Sequence, residues 1–145
     1  MCPPGNPNPI ELGKAEVIKE GKDITVVAIG KMVSRAIEVC DILKDISIEV
    51  INARFLRPLD TETILKSIEK TKKVITIEDN IIDGGLGTAV MKLINESVGA
   101  GLVPVQIKIK TFAYNNQFIE HGKVEELEKK YGLNPESIAN YILTL

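Results

Sequence analysis

Apolar positions change their period several times along this chain, and each change marks an element. Residues 24–29 (ITVVAI) form a β-branched run, as expected of a strand covered on both faces. Met32, Val33, Ala36, Ile37, Cys40 and Leu43 then fall on one helical stripe. Residues 46–51 read as a second buried strand, and 15–18 as a short strand ahead of both. Asp60 has the character of an N-cap for a helix over 61–70, and 74–77 is another strand. Leu86, Ala89, Val90, Leu93 and Ile94 match the i, i+3, i+4, i+7, i+8 template of a helix. Val105, Ile107 and Ile109 alternate with Gln106, Lys108 and Lys110, which predicts a strand with one wet face near a sheet edge. Val124, Leu127 and Tyr131 make a short helical stripe ended by Gly132. Asn134 and Pro135 supply an N-cap and an N1 proline for a last helix through Ile138 and Ile142.

The order is one strand, then βαβαβαβ, then two helices. Repeated βαβ units predict a mostly parallel sheet with helices on both faces. The Glu20-Gly21-Lys22 turn leaves two routes between the first strands, a hairpin or a crossing loop. Four prolines fall within the first nine residues, so residues 1–10 read as a linker or start segment and 11–145 as one domain.

Charge narrows the function classes. Eighteen Lys and Arg against twenty Asp and Glu give a net charge of −2, which argues against nucleic acid or an anionic membrane as partner. Aromatics make up 4% and Trp is absent, so no base-stacking platform is visible. The two cysteines, Cys2 and Cys40, form neither a disulfide framework nor a zinc motif. There is no basic start followed by an apolar stretch and no apolar run long enough to span a bilayer, so the cytoplasm is the default expectation.

Four groups of residues could carry chemistry. Gly84, Gly85 and Gly87, in Asp83-Gly84-Gly85-Leu86-Gly87, follow a strand and open a helix, where backbone N–H groups can receive an anion. The spacing is neither a dinucleotide fingerprint nor a Walker loop, so a turn that brings the helix close to the sheet is the preferred reading. Glu78, Asp79, Asn80 and Asp83 cluster just after the same strand, at the end where open α/β sheets bind ligands. They could coordinate Mg²⁺ or act as a base, but acidic residues beside a helix N-terminus are also favoured by its dipole alone. His121 is the only histidine, and no nucleophile motif accompanies it, which favours a structural or interface role. Arg54 and Arg57 precede Pro58-Leu59-Asp60 and could reach a phosphate or a partner's carboxylate, or serve loop packing equally well.

Residues 51–60 (INARFLRPLD), 75–90 (ITIEDNIIDGGLGTAV) and 26–39 (VVAIGKMVSRAIEV) resemble, in order, signatures of the transketolase C-terminal domain family. Residues 118–122 (FIEHG) and 131–142 (YGLNPESIANYI) are similar to one branch of it, whose members condense pyruvate with glyceraldehyde 3-phosphate and release CO₂. The resemblance implies a three-layer α/β/α sandwich. Its sheet would be five-stranded, mixed and mostly parallel, of order 1-3-2-4-5 with the first strand antiparallel. The whole enzyme of that branch uses thiamine diphosphate and Mg²⁺ and serves isoprenoid and cofactor biosynthesis.

The metal motif and the glutamate that activates the thiamine ring belong to two upstream domains in that family. The resemblance therefore implies no catalytic, cofactor-binding or metal residue in this chain. Its partners would be the N-terminal and central domains of the same enzyme, in a homodimer, and the isolated chain is expected to bind no cofactor, to be inactive, and to show a bare apolar patch. The alternative is the C-terminal piece of a split transketolase or of a 2-oxoacid dehydrogenase β-type subunit, acting as a partner-binding module. A further alternative is a stand-alone nucleotide-binding module built on residues 84–87. The chain departs from the family in three places. Residues 1–5 lack the arginines of the usual entry segment, residues 114–117 replace a Pro-Asp pair, and Lys31 stands where Thr or Ser is common.

Overall fold

A computed structural model describes residues 9–103 and 106–145. The expected linker, apart from exposed Pro9 and Ile10, and Val105 lie outside the described residues. The elements are β1 (Glu16–Lys19), β2 (Ile24–Ala28), α1 (Met32–Ile42), β3 (Ile48–Asn52), α2 (Thr61–Thr71), β4 (Lys73–Ile81), α3 (Leu86–Gly99), β5 (Lys108–Tyr114), α4 (Val124–Lys130) and α5 (Pro135–Ile142).

They form one five-stranded sheet of order β1-β3-β2-β4-β5. β2 pairs in parallel with β3 (Ile24 opposite Ile48) and with β4 (Thr25 opposite Val74). β4 pairs in parallel with β5 (Val74 opposite Ile109), while β1 runs antiparallel on β3 (Val17 opposite Ile51). This decides the Glu20–Lys22 turn. The chain leaves β1, passes the start of β3, where the Lys22 and Asp23 amides donate to the Ser47 carbonyl at 3.1 and 2.9 Å, and enters β2 on the far side. It is a crossing loop.

Side-chain alternation splits the core into two layers. Val26, Ala28, Ile48, Val50, Ile75 and Ile77 face α1 and α5 and pack on Met32, Val39, Ile138 and Ile142. Val27, Ile51 and Val74 face α2 and α3 and pack on Ile64, Ile68, Leu86 and Val90. The second layer also buries hydroxyls. Thr25 Oγ1 lies 2.6 Å from Ser67 Oγ and 2.7 Å from Thr71 Oγ1, so these groups satisfy one another. Buried Glu49 accepts from the Gly21 amide at 3.2 Å and pairs with Lys70.

Some expected boundaries move. β4 does not stop at Ile77 but continues to Ile81, because β5 beside it runs on to Tyr114 and supplies partners to that point. Glu78, Asp79 and Asn80 therefore lie within the strand rather than after it. Among the described residues β5 begins at Lys108, opposite Lys73, the first β4 residue in that register. The third strand begins at Ile48 because the Ile48 amide turns back to the Ile46 carbonyl at 3.0 Å.

Candidate functional site at the carboxyl edge of the sheet

The carboxyl ends of β2 and β4 and the amino end of α3 meet at one edge. Ile29, Gly30, Lys31, Leu56, Glu78, Asp79, Asn80 and Leu86 line a hollow there of about 300 Å³. Alternation along β4 sends Val74, Thr76 and Glu78 to the α3 side and Ile75, Ile77 and Asp79 to the α1 side.

Glu78 is 2% exposed, and its carboxylate accepts from the Leu86 amide at 2.8 Å and the Gly87 amide at 2.9 Å. The amino end of α3, with its orphan N–H groups and positive dipole end, thus already holds an anion, and that anion is the protein's own. Gly85 follows from this contact, and Gly87 and Gly84 from their own surroundings. A Cβ on Gly85 would lie 2.0 Å from Glu78 Oε2, and one on Gly87 would lie 2.3 Å from Thr111 Cγ2. Gly84 has open space around it but a φ of 75°, so it supplies the left-handed turn. With Glu78 seated on two of the amides, a phosphate would have to displace a buried carboxylate, so the geometry gives the nucleotide-module alternative no support.

Asp79 points the other way and meets Lys31 Nζ at 3.0 Å. Lys31 also approaches Glu128 Oε1 at 3.5 Å, and Arg35 Nε donates to Glu128 Oε2 at 2.8 Å. Arg35 Nη1 reaches Glu38 at 3.0 Å. One charged chain thus links β4, the β2–α1 turn, α1 and α4. Partial burial works against the Lys31 charge, but Asp79 and Glu128 outweigh it and hold its pKa above the ordinary value. The Glu38 and Glu128 carboxylates do the same for Arg35. Burial, then the negative charge of Asp79, pushes the Tyr114 phenol up.

The remaining expected site residues scatter. Asn80 is exposed, and its Oδ1 accepts from the Ile81 amide at 2.9 Å. Arg54 Nη2 bonds Glu16 at 2.5 Å and staples its loop to β1. Arg57 is exposed and lines a groove of about 410 Å³ with Leu56, Gly84, Gly85, Thr88 and Lys92. His121 is exposed on the loop between β5 and α4 and lines neither hollow. The structure brings together Glu78, Asp79, Asn80 and Gly84–Gly87, but not His121 or Arg54.

Lys31, Arg35 and Glu128 were not among the residues expected at this edge. The signal for Glu128 is present: with Val124, Leu127 and Tyr131 it completes an i, i+3, i+4, i+7 stripe, so it faces inward among neighbours that look solvent-exposed.

The family model described as transketolase, C-terminal domain, matches residues 13–138. The chain belongs to this family. Among its relatives, a 1-deoxy-D-xylulose-5-phosphate synthase of Caldanaerobacter subterraneus subsp. tengcongensis is 46% identical over 134 residues, which are 91% of this chain and 21% of that protein. The chain therefore spans about a fifth of the length of this curated relative. A solved structure titled as a split-gene transketolase, an inactive β4 tetramer, superposes with a TM-score of 0.81 at 31% identity. That match covers 93% of this chain and 43% of the other. A transketolase from Pichia stipitis shares the fold at a TM-score of 0.62 and 16% identity, over 91% of this chain and 18% of its own.

Among the described residues no group of three or more His, Cys, Asp or Glu is arranged to hold a metal, and Glu78 already accepts from two amides at the amino end of α3. No helix of the described residues is long and apolar enough to cross a membrane.

Proposed function

We propose that this chain is the C-terminal domain of a 1-deoxy-D-xylulose-5-phosphate synthase, supplying packing and dimer contacts to an enzyme that joins pyruvate to glyceraldehyde 3-phosphate with loss of CO₂. The observation that carries this reading is the 46% identity to such a synthase, confined to a fifth of its length. The inward-turned Glu78 supports it, since two amides at the amino end of α3 are taken by the protein's own carboxylate. Thiamine diphosphate and Mg²⁺ would be held by the cofactor-bearing domains of the same enzyme, and the homodimer and a cytoplasmic location belong to the same proposal.

Titration calorimetry of the 145-residue chain with thiamine diphosphate and Mg²⁺ tests it, no binding being expected. Exchanging this domain for the corresponding region of the Caldanaerobacter enzyme is expected to leave the hybrid active, while the chain alone turns over no pyruvate. Tight cofactor binding or turnover by the chain alone would overturn the proposal.

A second reading is favoured by the split-gene transketolase, whose likeness covers nearly all of this chain. There the chain is part of a separate partner-binding subunit, as it would be in a split transketolase or a 2-oxoacid dehydrogenase β-type enzyme. A neighbouring gene encoding the missing domains favours this second reading, and one reading frame running through them favours the first.

A further inference from the structure

Five of the six aromatic side chains are half-buried, and Phe118 alone stands 91% exposed. It lies on the segment between β5 and α4, and that segment is fixed at both ends. At the near end Asn116 Nδ2 donates to Asp83 Oδ2 at 3.0 Å, and the Gln117 amide turns back to the Asn115 carbonyl at 2.7 Å. At the far end Lys130 pairs with Glu120, and Glu128 locks α4 onto Arg35 and Lys31. Beside the near end, the Ile82 amide donates to the Tyr114 carbonyl at 2.8 Å, setting Ile81 and Ile82, 40% and 36% exposed, against the same edge.

An aromatic ring held out in water by a braced segment gains nothing for this domain. Bracing reduces the entropy lost on docking, and buried aromatic anchors dominate interface energetics. The occupant follows from the size of the relatives. About four fifths of the Caldanaerobacter synthase is made of regions this chain does not cover, and they belong to the same molecule as its counterpart of this domain.

We infer that residues 115–122, with Phe118 as anchor and Ile81 and Ile82 beside it, form the surface on which this domain docks the cofactor-bearing part of its enzyme. Glu128 acts as a positioning residue, holding α4 and through it the segment. The partner offers an apolar pocket for the Phe118 ring, rimmed by polar groups facing Asp83 and Glu120. This rests on the function proposed above.

Hydrogen–deuterium exchange tests it in the hybrid enzyme carrying this domain. Amides of 115–122 are expected to exchange about tenfold more slowly in the hybrid than in the isolated chain, and Phe118→Ala to remove that protection. The melting temperature of the isolated chain should not change with Phe118→Ala. Where the hybrid does not fold, the intact chain mixed with the Caldanaerobacter enzyme lacking its own C-terminal region gives the same readout. Protection on another face, with 115–122 exchanging as in the isolated chain, overturns the inference and leaves the proposed function standing. Absence of protection on every face, with an inactive hybrid, overturns both. Concentration-dependent protection of 115–122 in the isolated chain assigns the surface to a second copy and also overturns the inference.

Discussion

Gly84 and Gly85 are neighbours of one residue type, yet they answer different demands. Gly84 sits at φ 75° with open space around it, so adding a methyl group strains only the backbone. Gly85 has an extended backbone, but its Cβ would collide with the carboxylate of Glu78 at 2.0 Å. Gly84→Ala should therefore cost about 1–2 kcal/mol, the usual penalty for a left-handed residue with a Cβ. Gly85→Ala should cost roughly 3 kcal/mol or more, because it pushes a buried charge off the two amides that satisfy it. Urea denaturation of both variants checks the order; equal midpoints would mean that Glu78 is not seated on α3. The glycine-rich turn was conspicuous in the sequence. Its reason was not, because the residue that fills it stands several positions earlier, on a strand that looked finished at Ile77.

Among the elements, α2 was the most legible, since its cap is local. Asp60 Oδ1 accepts from the Thr63 amide at 3.1 Å, and Oδ2 from the Thr63 hydroxyl and the Ala15 amide, both at 2.9 Å. The same carboxylate thus also ties the lead-in of β1 to α2, a contact across 45 residues that no local pattern announces. Burial raises the cost of charging Asp60, but these donors outweigh it and hold its pKa below the ordinary carboxylate value. Glu49, buried likewise, is held down by Lys70, Ser67 and the Gly21 amide. Both groups bind a proton more readily in the unfolded chain. Their stabilisation is therefore complete above the unfolded carboxylate range and is lost as pH falls through the folded values. Thermal midpoints should stay level from neutral pH down to that range and then drop. Asp60→Asn should lower the neutral midpoint and flatten the acid limb; an unchanged acid slope would show that the cap contributes no linkage. The α4 helix was legible as a helix, but the service of Glu128 to Lys31 and Arg35 depends on α1 arriving beside it, which only the tertiary fold provides.

For the molecule as a whole, the alternating elements implied layers and a mostly parallel sheet, whereas the strand order came from family resemblance. Hydrophobic period places a strand inside but does not choose its neighbours. Here the choice lies in the backbone bonds of Lys22 and Asp23 to Ser47, which carry the chain past β3. The resulting sheet has two free edges among the described residues, β1 and β5, and each is guarded by charge. Glu16 and Lys19 flank Val17 and Ile18 on β1, and exposed Lys108 and Lys110 open β5. A lysine on an edge must be desolvated before another strand can pair there. Lys110 also lies 5.8 Å from the Phe112 ring centre and 5.6 Å from that of Tyr141, which are packed edge to face. Replacing both lysines by valine (Lys108→Val with Lys110→Val) should cost about 1 kcal/mol or less, because the loss is confined to an exposed cation–π contact and solvated charge. Its effect should fall on assembly. With valines the start of β5 becomes an apolar edge without gatekeepers, and refolding from urea should show rising light scattering at concentrations where the parent chain refolds clear. Equal scattering from both proteins at equal stability would show that the β5 edge is protected by something other than these two charges, with neighbouring backbone or the 115–122 segment the next place to look.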